Sequence, residues 1–381
     1  MNNFYKKFLF LFQKKFTFKF LKSSRYLILE HGQEDILLKY VKKNAEFVYF
    51  NYEINFYIIW LLILRLKKIN QLNYYNLAIE KIKPTKIITA TDDSKNFYKL
   101  KKIYPDKIFI SIQNGYRNVD KIFYHTQKEK KLFKSDVIFC IGKHNISLYN
   151  SSINSKVIPI GTIKNNFIKS KNNKEINRLV YISVFRISKI LKYSRSDYQS
   201  LYDLSFDEFK YFIDSEIKVI ESLYEVCKIK KIPFYIVGGS KNSFNEEKAW
   251  YKKILKDDSL NIIKKTSFRS SYDFLLKSKY IASIDSTLGY EMLSRNKKIV
   301  FFSRNIPISK KQNKLWQFGY PYVKNKRGFF FTNILNTQEA IRLVNNLISC
   351  KKNKWVFKIK RIKNNLISYD SGNKKLIKEL K

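Results

Sequence analysis

At 381 residues the chain is long enough for two ordinary domains and too long for one typical hydrophobic core. Its 45% hydrophobic content, with 31 Phe and 27 Tyr, excludes wholesale disorder. Lysine and arginine number 75 against 31 acidic residues, and the formal net charge of +44 attracts nucleic acid, anionic lipid and phosphorylated small molecules without choosing among them.

The first 24 residues are basic and aromatic, and lysines interrupt every apolar run, unlike the apolar core of a secretion signal. Phe4, Tyr5, Phe8, Phe12, Phe16 and Phe20 fall at roughly helical spacing, with Lys6, Lys7, Lys14, Lys15 and Lys19 around or between them. A helix of this kind fits peripheral contact with an anionic membrane surface, or a helix docked on the protein. The apolar run Phe56–Leu64 is much shorter than the roughly 20 residues that span a bilayer.

Short β-branched and aromatic runs then predict strands at Tyr26–Leu29, Phe47–Phe50, Lys86–Thr89, Ile108–Ile112, Val137–Cys140 and Val157–Ile160. A helix over Tyr74–Ile82 stops at Pro84. After the polar stretch Lys169–Asn177 the pattern restarts at Leu179–Ser183, Phe234–Val237, Asn261–Ile263, Tyr280–Ile284 and Lys298–Phe302, with a helix over Phe206–Ile229. This alternation predicts an α/β fold of two Rossmann-like domains facing a central cleft. The expected divisions are a basic aromatic membrane-contact segment (1–24), a first Rossmann-like domain (25–168), a linker (169–177), a second Rossmann-like domain (178–345) and a basic extension (346–381).

Cys140, Cys227 and Cys350 form no CxxC, and with His31, His125 and His144 they make no metal-ligand spacing. No bound metal or cofactor is therefore expected. The absence of a zinc finger, RNP-like motif or GxxxxGK[ST] leaves a nucleic-acid-binding module as an alternative resting on charge alone.

The sharpest local signal is Ile281–Phe302: a buried strand, a polar turn, a short helix and a returning strand. Ser286 and Thr287 would offer hydroxyls beside helix N–H groups to a diphosphate. Asp285 suits a cap or a hydroxyl contact better than a phosphate, and Glu291 would reach a ribose or sugar hydroxyl. Arg117 and Arg186 follow strands, where a guanidinium can fork onto phosphate or pair across an interface. Gly238 and Gly239 permit close approach or simply end a strand. In the first half, His31 is a candidate base toward an acceptor hydroxyl, with Glu30 orienting it or acting instead. Asp92, beside Asp93, is the competing acid.

Asp285-Ser286-Thr287-Leu288-Gly289-Tyr290-Glu291 with the following KKIVFF resembles the surface carbohydrate biosynthesis protein family. Tyr181–Arg186, Phe318–Pro321 and Gly328–Asn333 agree in order and spacing, as does Gln113-Asn114-Gly115-Tyr116-Arg117, where Tyr116 replaces the usual aliphatic residue. Val184 stands where that family commonly has glutamine. The resemblance spans residues 25–345 and implies a GT-B-like glycosyltransferase, with residues 25–168 as its acceptor domain and 178–345 as its nucleotide-donor domain. It would take a nucleotide-activated sugar as donor and a glycan or lipid-linked acceptor, at the inner face of the cytoplasmic membrane. The alternative it admits is a CDP-polyol phosphotransferase.

Overall fold

The computed structural model describes residues 15–41, 44–51, 53–117, 122–123, 132–169, 174–185, 206–239, 243–304, 317–320 and 322–381. The chain divides into two compact units: one of residues 1–115, 121–167 and 370–381, the other of residues 116–120 and 168–369.

The first unit carries a two-stranded pair and a six-stranded parallel sheet. The strands in chain order are β1 (Lys15–Thr17), β2 (Tyr26–Leu29), β3 (Ala45–Val48), β4 (Glu53–Asn55), β5 (Lys86–Thr89), β6 (Ile108–Ile112), β7 (Lys134–Cys140) and β8 (Asn154–Pro159). The large sheet has the order β3-β2-β5-β6-β7-β8, every pair parallel. Strands β2 and β5 are buried along their whole length, as the run of Leu, Ile and Thr without alternation requires of a sheet covered on both faces. The helix Gln71–Ile82 starts at an Asn70 cap whose side chain accepts from the Asn73 N–H, and ends at Lys83 in the left-handed region just before Pro84.

The chain's C-terminus returns to this unit. Asn373 is wholly buried; its amide donates to the Ile163 carbonyl and to Tyr40 Oη, both at 2.9 Å, and accepts from Asn166 at 3.0 Å. The helix Lys374–Leu380 then buries Leu376 and Leu380, and Tyr26 Oη donates to the Leu380 carbonyl. Lys352–Leu366, within the expected basic extension, is a helix of the second unit whose Trp355 is fully buried and donates to the Lys297 carbonyl at 3.1 Å.

One expectation is corrected. The described part of the N-terminal aromatic stretch is not helical: Lys15–Thr17 is a strand, pairing in parallel with β4, Lys15 opposite Glu53 and Thr17 opposite Asn55, and residues 18–24 are irregular. Phe16, Phe18 and Phe20 recur with period two, and the backbone of β4 gives Phe16 a partner in Ile54, which outweighs the period-four spacing. Phe4, Tyr5, Phe8 and Phe12 lie outside the described residues. Phe56–Leu64 is a helix of nine residues. No helix among the described residues is long and apolar enough to cross a membrane.

The second unit has β9 (Ile176–Ile182), β10 (Phe234–Val237), β11 (Asn261–Ile263), β12 (Ser278–Ser283), β13 (Lys298–Phe302) and β14 (Phe331–Thr332) in the order β11-β10-β9-β12-β13-β14, again all parallel.

Candidate functional site

In an open parallel sheet, ligands enter where the strand order reverses, at the strands' carboxyl ends. In the first unit that point lies between β2 and β5; in the second, between β9 and β12. Most of the sequence-selected residues stand at or near these two places, and each unit is described separately.

At the end of β2, Glu30 adopts φ 67°, a conformation uncommon outside glycine. Its carboxylate is buried and accepts from the Asn51 amide and Gln71 Nε2, both at 3.0 Å, and from Tyr75 Oη. Burial and the neighbouring Glu30 charge hold the Tyr75 hydroxyl well above its ordinary pKa. Glu30 is therefore committed to a cage of its own. His31 instead meets Glu34: Nδ1 lies 2.6 Å from Glu34 Oε1, which also accepts the Gly32 N–H at 2.9 Å. The imidazole stacks on Tyr49, with centroids 3.9 Å apart and planes 9° from parallel, while 43% of its side chain faces solvent. A carboxylate on Nδ1 fixes the ring's tautomer and orientation. Gly32, at φ 154°, lies so close to the end of β5 that a Cβ there would sit 3.0 Å from Ala90 Cβ.

Asp92 is fully buried. One carboxylate oxygen accepts the Asn114 N–H at 3.2 Å, the other accepts Tyr149 Oη at 2.6 Å, and its carbonyl accepts Tyr98 Oη. It anchors the loop after β6, which is held further by Gln113 Oε1 accepting the Ile141 N–H and by Gln33 donating to Asn114 Oδ1. The half-buried Arg117 follows that loop.

In the second unit, Asp285 ends the β12 strand-turn and pairs with Arg304, which follows β13, at 3.2 Å. Arg304 keeps only 2% of its side chain exposed. Its charge also opposes the effect of burial on Glu216, whose carboxyl is nonetheless pushed above its ordinary value. Glu216 accepts from Tyr181 Oη at 3.0 Å and Tyr251 Oη at 2.8 Å. Tyr251 in turn shares a 2.6 Å hydrogen bond with Ser183, the residue after β9. Gly238 and Gly239 close this end of β10. The Gly239 N–H donates to the buried Glu247 at 3.0 Å, and a Cβ on Gly238 would meet that carboxylate at 3.2 Å.

Ser286 caps the helix Thr287–Ser294 by position, in extended geometry, but its side chain makes no capping hydrogen bond. Thr287 Oγ1 accepts the Tyr116 N–H at 3.0 Å, and the Tyr116 ring stacks on Tyr290 with centroids 3.6 Å apart. Gly289 is required by packing, since a Cβ there would fall 2.7 Å from Ser283 Oγ and 3.1 Å from the Phe301 ring. Glu291 is buried and accepts from Tyr272 Oη at 2.6 Å, a core position that gives it a structural partner. Phe318, Phe330 and Phe331 of the two remaining motifs form one aromatic cluster with Phe301. Arg186 lies outside the described residues.

Sequence reasoning missed Glu34, Arg304, Glu216 and Asn333. Glu34 had a readable signal, an acid three residues after His31 where the helix Glu34–Val41 begins. Asn333, just beyond β14, is 7% exposed and neither of its amide atoms has a hydrogen-bond partner among the described residues, a costly state for a buried amide. Among the described residues no group of three His, Cys, Asp or Glu could hold a metal.

The fold has known counterparts. The wall teichoic acid polymerase TagF, 9% identical, superimposes with a TM-score of 0.53 over 94% of this chain and 89% of its own. The UDP-GlcNAc 2-epimerase of Methanocaldococcus jannaschii, 11% identical, gives 0.50 over 93% and 98%. Both likenesses establish the two-unit, GT-B-like architecture. No curated protein matches the sequence. Residues 110–381, well over half the chain, match the model of the family described as "putative O-antigen biosynthesis protein". The chain belongs to that O-antigen biosynthesis family.

Proposed function

We propose that the protein is a transferase of surface-polymer assembly that uses a nucleotide-linked donor. The observation that carries this reading is the His31–Glu34 pair, an exposed and oriented imidazole at the strand-order reversal of the first unit. The hydroxyl-bearing helix start at Ser286 gives the second unit a site suited to a diphosphate. Transfer of a polyol phosphate from a CDP-linked donor is the leading reading, supported by the polymerase likeness. His31 Nε2 would take the proton of an acceptor hydroxyl as its oxygen attacks the polyol-bearing phosphorus. The bond from that phosphorus to the bridging oxygen breaks, CMP departs with the electron pair, and the imidazolium returns its proton to the leaving group or to water.

Sugar transfer is the second reading, favoured by family membership in O-antigen assembly. The same base would then serve attack at the anomeric carbon, with a nucleotide leaving. The full chain, supplied in turn with CDP-linked polyols and with UDP-, GDP- and CMP-activated sugars plus a lipid-linked acceptor, tests both. A product heavier by a polyol phosphate supports the first; one heavier by a sugar replaces it with the second. Isomerised donor with no acceptor product, or no turnover of any donor, contradicts the transferase reading.

A further inference from the structure

The helix Phe56–Leu64 turns Ile58, Ile59 and Leu62 inward, yet its outer face is also apolar: Phe56 is 49% exposed, Trp60 48%, Ile63 54% and Leu64 60%. A surface helix of a water-soluble domain ordinarily shows polar residues there. The segment that follows β1 extends the same surface. Phe18 and Phe20 are largely exposed and meet Tyr57, with centroids 6.1 and 5.0 Å away, and Tyr57 leads on to Trp60.

The helix ends in a Schellman turn, with the Lys67 N–H donating to the Leu62 carbonyl and the Leu66 N–H to that of Ile63. The residue in the left-handed position of such a turn is usually glycine. Here it is Leu66, at φ 52° and 96% exposed. A β-carbon is strained in that conformation and a leucine gains nothing from water, so the fold itself gives no reason for this residue.

Charge identifies what covers the patch. Residues 15–25 and 56–69 contain Lys15, Lys19, Lys22, Arg25, Arg65, Lys67 and Lys68 and no Asp or Glu. Acids of neighbouring elements pair with three of them, Glu53 with Lys15, Glu46 with Lys19 and Glu80 with Arg65, so Lys67 and Lys68 are the chief cations of the rim. Lys67 and Lys68 follow Leu66 directly and are exposed. Aromatic and aliphatic side chains rimmed by cations match acyl chains beneath anionic headgroups. We propose that this face of the first unit docks on an anionic lipid bilayer, with the helix Phe56–Leu64 lying in the interface and Leu66 and Trp60 as its principal inserted side chains. It rests on the transferase reading only in supplying a lipid-borne acceptor; docking is measured without any donor.

The test is flotation of the full chain with phosphatidylglycerol and with phosphatidylcholine vesicles, beside thermal unfolding in the absence of lipid. The protein is expected to float with the anionic vesicles at low salt, and less as salt is raised. Leu66→Gly is expected to hold or raise thermal stability while lowering the bound fraction, opposite signs that a merely structural leucine would not give. Trp60→Ser with Ile63→Ser and Leu66→Gly is expected to lower partitioning at least about tenfold. Lys67→Gln and Lys68→Gln are each expected to lower it roughly fivefold. Absence of flotation, or equal flotation of the triple variant, overturns the proposal. So does concentration-dependent self-association that the triple variant abolishes without vesicles, which would assign the patch to a second copy. Flotation that appears only after deletion of residues 1–14 overturns it too, by assigning the patch to that segment.

Discussion

The two units place opposite kinds of polar group at the same topological position. At the β2–β5 reversal an imidazole stands half in solvent, held by one carboxylate and one aromatic face. At the β9–β12 reversal the charges are withdrawn beneath the strand ends: Glu216 and Arg304 are buried and Asp285 is half-buried, with Tyr181, Tyr251 and Ser183 tied in around Glu216. A parallel sheet thus provides a location, and burial decides its use. An exposed, oriented base can exchange protons, whereas a buried ion network costs desolvation and fixes the shape of the loops above it.

The comparison breaks most visibly at His31. His31→Ala is expected to lower turnover about 10²–10⁴-fold while leaving the thermal midpoint nearly unchanged, because the side chain is exposed. Arg304→Met should do the reverse in kind. It strands the half-buried Asp285 carboxylate and the buried Glu216 carboxyl and is expected to cost about 3–5 kcal/mol in urea unfolding. An unchanged midpoint would show that the network does not hold the second site. Gly289→Ala is next, at about 1–3 kcal/mol, since the new methyl meets Ser283 and Phe301 and the helix must shift.

A smaller effect sharpens the role of burial. Burial disfavours the charge of Glu216 and raises its folded-state pKa above the ordinary glutamate value of 4.5. As pH rises past 4.5 the unfolded chain releases this proton first, so the folded state holds more protons and stability falls until the folded pKa is passed. Glu216→Gln is expected to remove that part of the pH slope, read as the difference between the two unfolding curves. Identical slopes would contradict a carboxyl raised by burial.

The strands of both sheets were legible where short β-branched runs are bounded by turn residues: Tyr26–Leu29, Lys86–Thr89, Ile108–Ile112, Phe234–Val237 and Lys298–Phe302 agree residue for residue with the structure. Others, such as β7 and β9, begin three residues earlier than their apolar runs, since a polar residue at a sheet's entrance pairs as well as an apolar one. Strands β1, β4 and β14 were not legible, being two or three residues long and defined by their partner rather than by their own pattern. At the sites, the sequence located the turns after β2 and β12 but not the partners. Glu30 adjoins His31 in the chain, yet its carboxylate turns to Asn51, Gln71 and Tyr75, and the helical offset delivers Glu34 instead. Arg304 and Glu216 come from elements 19 or more residues away from Asp285 in the chain, and only folding brings them together. Gly289 and Phe318 carry motif identity for reasons of packing.

The division of labour between the two units is tested most directly by measuring donor affinity and turnover together in His31→Ala and Ser286→Ala, using the donor the full chain consumes. The account predicts that His31→Ala binds donor within about twofold of the parent protein while turnover falls at least about 10²-fold. It predicts that Ser286→Ala weakens donor binding by about one hydrogen bond to a charged group, roughly tenfold. Donor affinity that collapses in His31→Ala, with Ser286→Ala unaffected, would contradict it.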